Sequence, residues 1–281
     1  MEGSIITTFL IVFREALEAS LIIGIILTVL ARLNQRKYFP HVIVSAFVAI
    51  LISLWAGKLL MTLTEAAQGN AEKLIEGGIS LVACGVLTYM IFWMDRQAKK
   101  IKPEIESQLE KAISKGELIT IISLPFLAVF REGAETVLFL SALSAKNPSS
   151  VSFLGGILGL VLAVLIVLAI FVGGKKIPLR PLFQGSGMFL LLIAAGLLAY
   201  GIHEFQELGL IPEIYAPIWN INHILNEKVG LGQFLKSIFG YNGNPSLIEV
   251  IGYSTYLYGV IFLLNKRNFF HRDVVRNNVK N

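Results

Sequence analysis

The chain has 281 residues, of which 55% are hydrophobic and only 15% charged, with a formal net charge of +5 and a mean hydropathy of +0.70. A soluble domain carries about 25% charged residues, so this composition excludes a large soluble core and reads as an integral membrane protein. The single cysteine, Cys84, lies in an apolar run and excludes both a disulfide framework and a thiolate metal site.

Seven stretches are long enough to cross about 30 Å of hydrocarbon as helices: Ser4–Ala31, His41–Thr62, Leu74–Met94, Leu118–Leu143, Val151–Val172, Leu182–Gly201 and Leu247–Leu264. The expected fold is all-α: one transmembrane domain, residues 1–281, with seven transmembrane helices. The first stretch has no basic region before it and is too long for a signal-peptide core. The first and fourth each carry an Arg and two Glu, but apolar flanks (Ile5–Phe13 with Leu21–Leu30, Ile119–Phe130 with Val137–Leu143) keep them as spans. Two connections are long. Residues 95–117 are charged and helix-prone, and are expected to form a solvated helical hairpin. Residues 202–246 are apolar, aromatic and punctuated by Gly and Pro, with Trp219, Phe234, Phe239 and Tyr241, and are expected to lie on or dip into the membrane.

Basic residues orient the bundle. The first, third and fifth connections and the C-terminal tail hold seventeen of them: Arg32, Arg36, Lys37; Arg96, Lys99, Lys100, Lys102, Lys111, Lys115; Lys175, Lys176, Arg180; and Lys266, Arg267, Arg272, Arg276, Lys280. The opposite side holds four: Lys73, Lys146, Lys228 and Lys236. The asymmetry puts the N-terminus outside and the C-terminus in the cytosol.

Val12-Phe13-Arg14-Glu15-Ala16-Leu17-Glu18 recurs 117 residues later as Val129-Phe130-Arg131-Glu132-Gly133-Ala134-Glu135. A fainter echo, at an offset of 111, links Gly85-Val86-Leu87-Thr88-Tyr89 with Gly196-Leu197-Leu198-Ala199-Tyr200. Three helices per unit force the second copy through the membrane in the opposite sense. The result is a 3+3 inverted repeat plus one helix, an architecture that puts a substrate site at the repeat interface near the midplane. The expected layout is repeat 1 over 1–95, a cytosolic loop over 96–117, repeat 2 over 118–201, an external loop over 202–246, and helix seven with its tail over 247–281.

Glu15 and Glu18 share a helix face, as do Glu132 and Glu135, and Arg14 and Arg131 are i, i+4 neighbours of the second Glu in each motif. All six sit near the membrane centre, where each ionisable residue costs at least about 2.5–3.5 kcal/mol. Two buried Arg–Glu pairs would account for one Glu per Arg. The remaining two leave a formal charge of −2, to be met by protons or by a cation. Carboxylate oxygens are hard ligands, suited to Fe³⁺, Fe²⁺, Mn²⁺ or Ca²⁺ rather than Cu⁺.

Paired Arg-Glu-x-x-Glu motifs in the first and fourth of seven helices resemble the oxidase-dependent iron permeases, the fungal high-affinity permeases and bacterial EfeU-like relatives. The likeness runs through the Trp219 segment and Phe239-Gly240-Tyr241…Pro245-Ser246. The usual core is Arg-Glu-Gly-Leu-Glu; here Ala16 stands for Gly in the first copy and Ala134 for Leu in the second, and neither change removes a ligand. The resemblance implies iron import across the plasma or inner membrane, with Glu15, Glu18, Glu132 and Glu135 as translocation ligands. It also implies a separate extracytoplasmic ferroxidase or iron-delivery partner. Iron, Fe²⁺ or Fe³⁺, enters as transported substrate beside the lipid bilayer, with no permanently bound cofactor. An importer of Pb²⁺ or Mn²⁺ on the same scaffold is the alternative, and homo-oligomerisation stays open.

His203-Glu204-Phe205-Gln206-Glu207 begins like a zinc-protease helix but lacks the second His. At the outer end of the sixth helix, it is instead a candidate site of first capture for a cation, with Glu65, Glu72 and Glu76 as candidates to join it. Tyr89 and Tyr200 read as packing residues. No His has a Glu three positions before it, against a di-iron oxidase, and no Gly-x-x-x-x-Gly-Lys-Ser/Thr run appears. The chain is thus expected to be no enzyme, to hydrolyse no ATP itself and to bind no nucleic acid.

Overall fold

The computed structural model describes residues 2–97, 101–146, 151–173, 179–227 and 230–278. Lys99, Lys100, Lys175, Lys176, Lys228 and Lys280, which enter the charge argument, lie outside the described residues. The helices are α1 (Glu2–Arg32), α2 (Phe39–Ala66), α3 (Asn70–Gln97), α4 (Ile101–Lys115), α5 (Leu118–Lys146), α6 (Phe153–Phe171), α7 (Leu179–Glu207), α8 (Gly230–Phe239) and α9 (Leu247–Asn278); no strand occurs among the described residues.

Five helices contain stretches long and apolar enough to cross a membrane: Arg36–Thr64, Asn70–Trp93, Phe153–Phe171, Gly185–Glu207 and Leu247–Lys266. The other two long helices, α1 with 31 residues and α5 with 29, are the ones that carry the motif charges. Position sets these two helices apart. α1 and α5 cross each other inside, α1 packs along α6, α2 along α5, and α3 along α7. Val44, Phe47, Leu51, Leu54 and Trp55 of α2 and Leu154, Leu158, Val161 and Leu165 of α6 face outward. Such broad apolar surface is incompatible with water and matches acyl chains. Most of the motif charge of α1 and α5 is therefore turned into protein, with Arg14, Glu15 and Glu132 buried, while α2 and α6 supply much of the apolar exterior.

Small residues set how closely these pairs approach, as expected where lipid removes the hydrophobic drive to associate. Gly159 of α6 lies against the α1 backbone: a Cβ there would stand 2.8 Å from Phe13 N and from Phe9 O. Gly133, inside the second motif, faces the Ser53 side chain of α2, and Gly201 of α7 faces the Gly77 carbonyl of α3.

One sequence expectation needs correction. The connection between α3 and α5 is not a solvated hairpin; its described part is the single helix α4. Ile105, Leu109 and Ala112 recur at i, i+4, i+7 and are buried against Ile26, Val29 and Leu30 of α1, Val42 of α2 and Ile121 of α5. The charges that suggest full solvation, Glu104, Glu110, Lys111 and Lys115, are exposed, while Glu106 pairs back to α1, its Oε1 3.1 Å from Arg32 Nη2. α7 runs on to Glu207, so His203, Glu204 and Glu207 stand in its last turns and the 202–246 connection begins inside it. The rest of that segment carries α8, packed on α1 and α7.

Candidate cation site

The repeated sequence produces repeated local structure. Phe9 and Phe13 stack with ring centroids 5.6 Å apart, and Phe126 and Phe130, 117 positions on, stack at 5.9 Å. One turn further, α1 presents Arg14, Glu15 and Glu18, and α5 presents Arg131, Glu132 and Glu135. Arg14, Glu15 and Glu132 are buried.

Glu15, Glu132 and Glu135 each offer a carboxylate oxygen, and these three oxygens lie within 4.8 Å of one another. Ligands on opposite sides of an ion at about 2.0–2.6 Å are about 4–5 Å apart, so one hard cation fits between them. Among the described residues no other three His, Cys, Asp or Glu side chains converge this closely. Glu18 stands outside the triple, its Oε1 3.3 Å from Arg14 Nε. Each arginine reaches both glutamates of its motif: Arg14 Nη1 is 3.7 Å from Glu15 Oε1, and Arg131 Nε is 3.0 Å from Glu135 Oε1 and 3.8 Å from Glu132 Oε1.

The pairing does not satisfy the acids. Both oxygens of Glu15 and Oε2 of Glu132 and of Glu135 are buried without a hydrogen bond. A buried charged oxygen without a donor is among the costliest polar defects. Two guanidinium groups against four carboxylates leave a surplus of acceptors and of negative charge. Such a centre takes up a cation, protons, or one in exchange for the other.

The second predicted cluster has a different character. His203 Nδ1 lies 3.2 Å from Glu249 Oε1 and its Nε2 3.2 Å from Glu207 Oε1, while Lys73 Nζ lies 2.6 Å from Glu207 Oε2. Tyr200 donates toward Glu76 Oε2 at 2.7 Å and the Ala145 carbonyl at 3.0 Å, so its hydroxyl is satisfied. Glu204 is buried, Glu72 is exposed, and nothing describes the Glu65 side chain. The network joins α3, α7 and α9. Glu249 is the member the site pattern overlooks, although Ser246-x-x-Glu249 has a capping-box spacing. Ser246 N–H donates to Glu249 Oε1 at 3.2 Å, and Glu249 N–H donates to Ser246 Oγ at 3.3 Å. Trp93 is the other unheralded neighbour, its ring centroid 4.2 Å from the Arg131 guanidinium carbon. In the sequence it reads as one more apolar residue of a span.

The sequence profile of the iron permease FTR1 family matches residues 5–268. The chain is 36% identical over 257 residues to the ferrous iron permease EfeU of Yersinia pestis, covering 91% of each protein. It is 31% identical over 251 residues to that of Escherichia coli O6:H1, covering 89% of this chain and 91% of that protein. No solved structure matches the chain.

Proposed function

We propose that this chain, which belongs to the iron permease FTR1 family, imports iron ions through a midplane site built from its two Arg-Glu-x-x-Glu motifs. Membership makes it a permease of iron transport and not an enzyme, and its apolar helices make it a multi-pass membrane protein. The observation that carries the site is the convergence of Glu15, Glu132 and Glu135, from helices more than a hundred residues apart, each with at least one buried oxygen that no donor satisfies. Glu18, one turn from Glu15, completes the acidic set on the translocation path. Arg14 and Arg131 hold the acids in place when the ion has left.

The wider architecture in this reading is a bundle of seven spans in the plasma or inner membrane, N-terminus outside and C-terminus in the cytosol, over the repeat layout given above. Packing supports the inverted repeat. Exchanging α1–α3 with α5–α7 carries the α1–α6 pair onto α5–α2 and leaves α1–α5 and α3–α7 on themselves, as a two-fold relation requires. An arriving cation first meets His203, Glu204 and Glu207 at the outer end of α7. A separate extracytoplasmic ferroxidase or delivery protein supplies it.

The test is uptake of radioactive iron by proteoliposomes containing the purified protein, with Fe²⁺ and Fe³⁺ supplied separately and Mn²⁺ and Pb²⁺ as competitors. Iron accumulation above empty vesicles is expected. Uptake of Mn²⁺ or Pb²⁺ without iron would replace the substrate, and no uptake of any of them would remove the proposal.

A further inference from the structure

The two motif arginines, equivalent in the repeat, do not sit alike. The Arg14 side chain is 1% exposed and that of Arg131 38%. The Arg131 guanidinium lies over Trp93 of α3 at 4.2 Å, and Trp93 is itself stacked on Tyr89, centroids 6.3 Å apart. Extending the α3–α7 echo by four residues pairs Trp93 with Glu204, so the aromatic belongs to one half of the repeat only. An indole face attracts a guanidinium through its quadrupole and asks for no carboxylate in return. With Arg131 so placed, its Nε still touches Glu135 Oε1 at 3.0 Å, while Glu132 Oε2 and Glu135 Oε2 remain without a hydrogen bond.

We infer that Trp93 is a positioning residue for transport: it holds the Arg131 guanidinium stacked to one side, bonded to one oxygen of Glu135 only, so that this fixed positive charge stays off Glu132 and off Glu135 Oε2 and leaves both to the cation. The inference rests on the permease reading of the carboxylate site. Without the indole, the nearest alternative partner of Arg131 is Glu132, whose Oε1 is already 3.8 Å from Nε. A tethered cation settled there weakens binding of the mobile one and leaves the later steps of transport unchanged.

Trp93→Leu keeps an apolar side chain and removes the ring face. It is expected to raise the KM for iron uptake about ten-fold, the loss of about 1.4 kcal/mol of binding, with the maximum rate and the melting temperature held. Trp93→Phe, which restores a ring, is expected to recover most of the affinity. In an Arg131→Gln background Trp93→Leu should change KM no further, because there is no guanidinium left to position. An unchanged KM in the single variant, or an equal increase in both backgrounds, overturns the inference. A variant that fails to fold leaves a second measurement, the emission of Trp93 in a protein whose Trp55 and Trp219 are replaced by Phe. Adding Arg131→Gln should shift that emission, and an unmoved spectrum overturns the stack. Wild-type protein that takes up no iron sinks the permease reading instead, while the emission comparison still decides where Arg131 sits.

Discussion

At the scale of single residues, the four glutamates and two arginines of the proposed site differ in burial and in charge. Glu15→Gln and Glu132→Gln keep size and hydrogen-bonding capacity but remove charge. Each is expected to lower iron uptake by about 10–100-fold, on the scale of disturbing a metal's immediate surroundings, while melting temperature holds or rises because buried like charges repel. Wild-type uptake by both variants would make the glutamates structural. The arginines should behave otherwise, and unequally. Removing one partner of a buried ion pair costs about 3–5 kcal/mol, and Arg14 is buried throughout. Arg14→Gln should therefore reduce folded protein before transport can be read, in a thermal-unfolding measurement in detergent. Arg131, part-exposed and stacked on Trp93, should lose distinctly less; equal losses would show that exposure is not what separates them.

At the scale of elements, closeness of approach is set by glycine and by one unanticipated amphipathic helix. An added Cβ at Gly133 would strike Ser53, so Gly133→Ala should destabilise by about 1–3 kcal/mol, the usual effect of overpacking. Ser53→Gly should restore most of that loss. Failure of the second change to rescue the first would place the strain elsewhere on the α2–α5 contact. Leu109 of α4 is fully buried between α1 and α5. Leu109→Ala should cost about 2–5 kcal/mol, read as a lower melting temperature. A neutral result would mean that α4 is solvated after all, as its charge content alone suggests.

At the scale of the molecule, orientation is the property on which an inverted repeat depends. In a protein whose buried Cys84 is replaced by Ala, a cysteine at Asn222 should react with an impermeant reagent added outside intact cells, and one at Lys111 should not. The reverse labelling would turn the bundle over. The expected direction of iron flow through it would then need reassignment.

Much of this was legible in the chain itself, because a membrane imposes simple rules. Apolar length marks spans, and charge inside a span is too costly to be idle. Repetition of Arg-Glu-x-x-Glu at an interval of 117 residues therefore points to two charged helices that meet, and α1 and α5 do pack together. Amphipathic periodicity in Ile105, Leu109 and Ala112 was equally present, but a run rich in Lys and Glu masks a three-residue stripe. Other features depend on which faces meet, and local patterns do not encode that. The tertiary structure alone put three of the four glutamates within one cation's reach and left Glu18 with Arg14. It also tied His203 to Glu249 across α7 and α9. Trp93 and Arg131 lie in different helices and share no motif, so only packing could bring an indole face under that arginine.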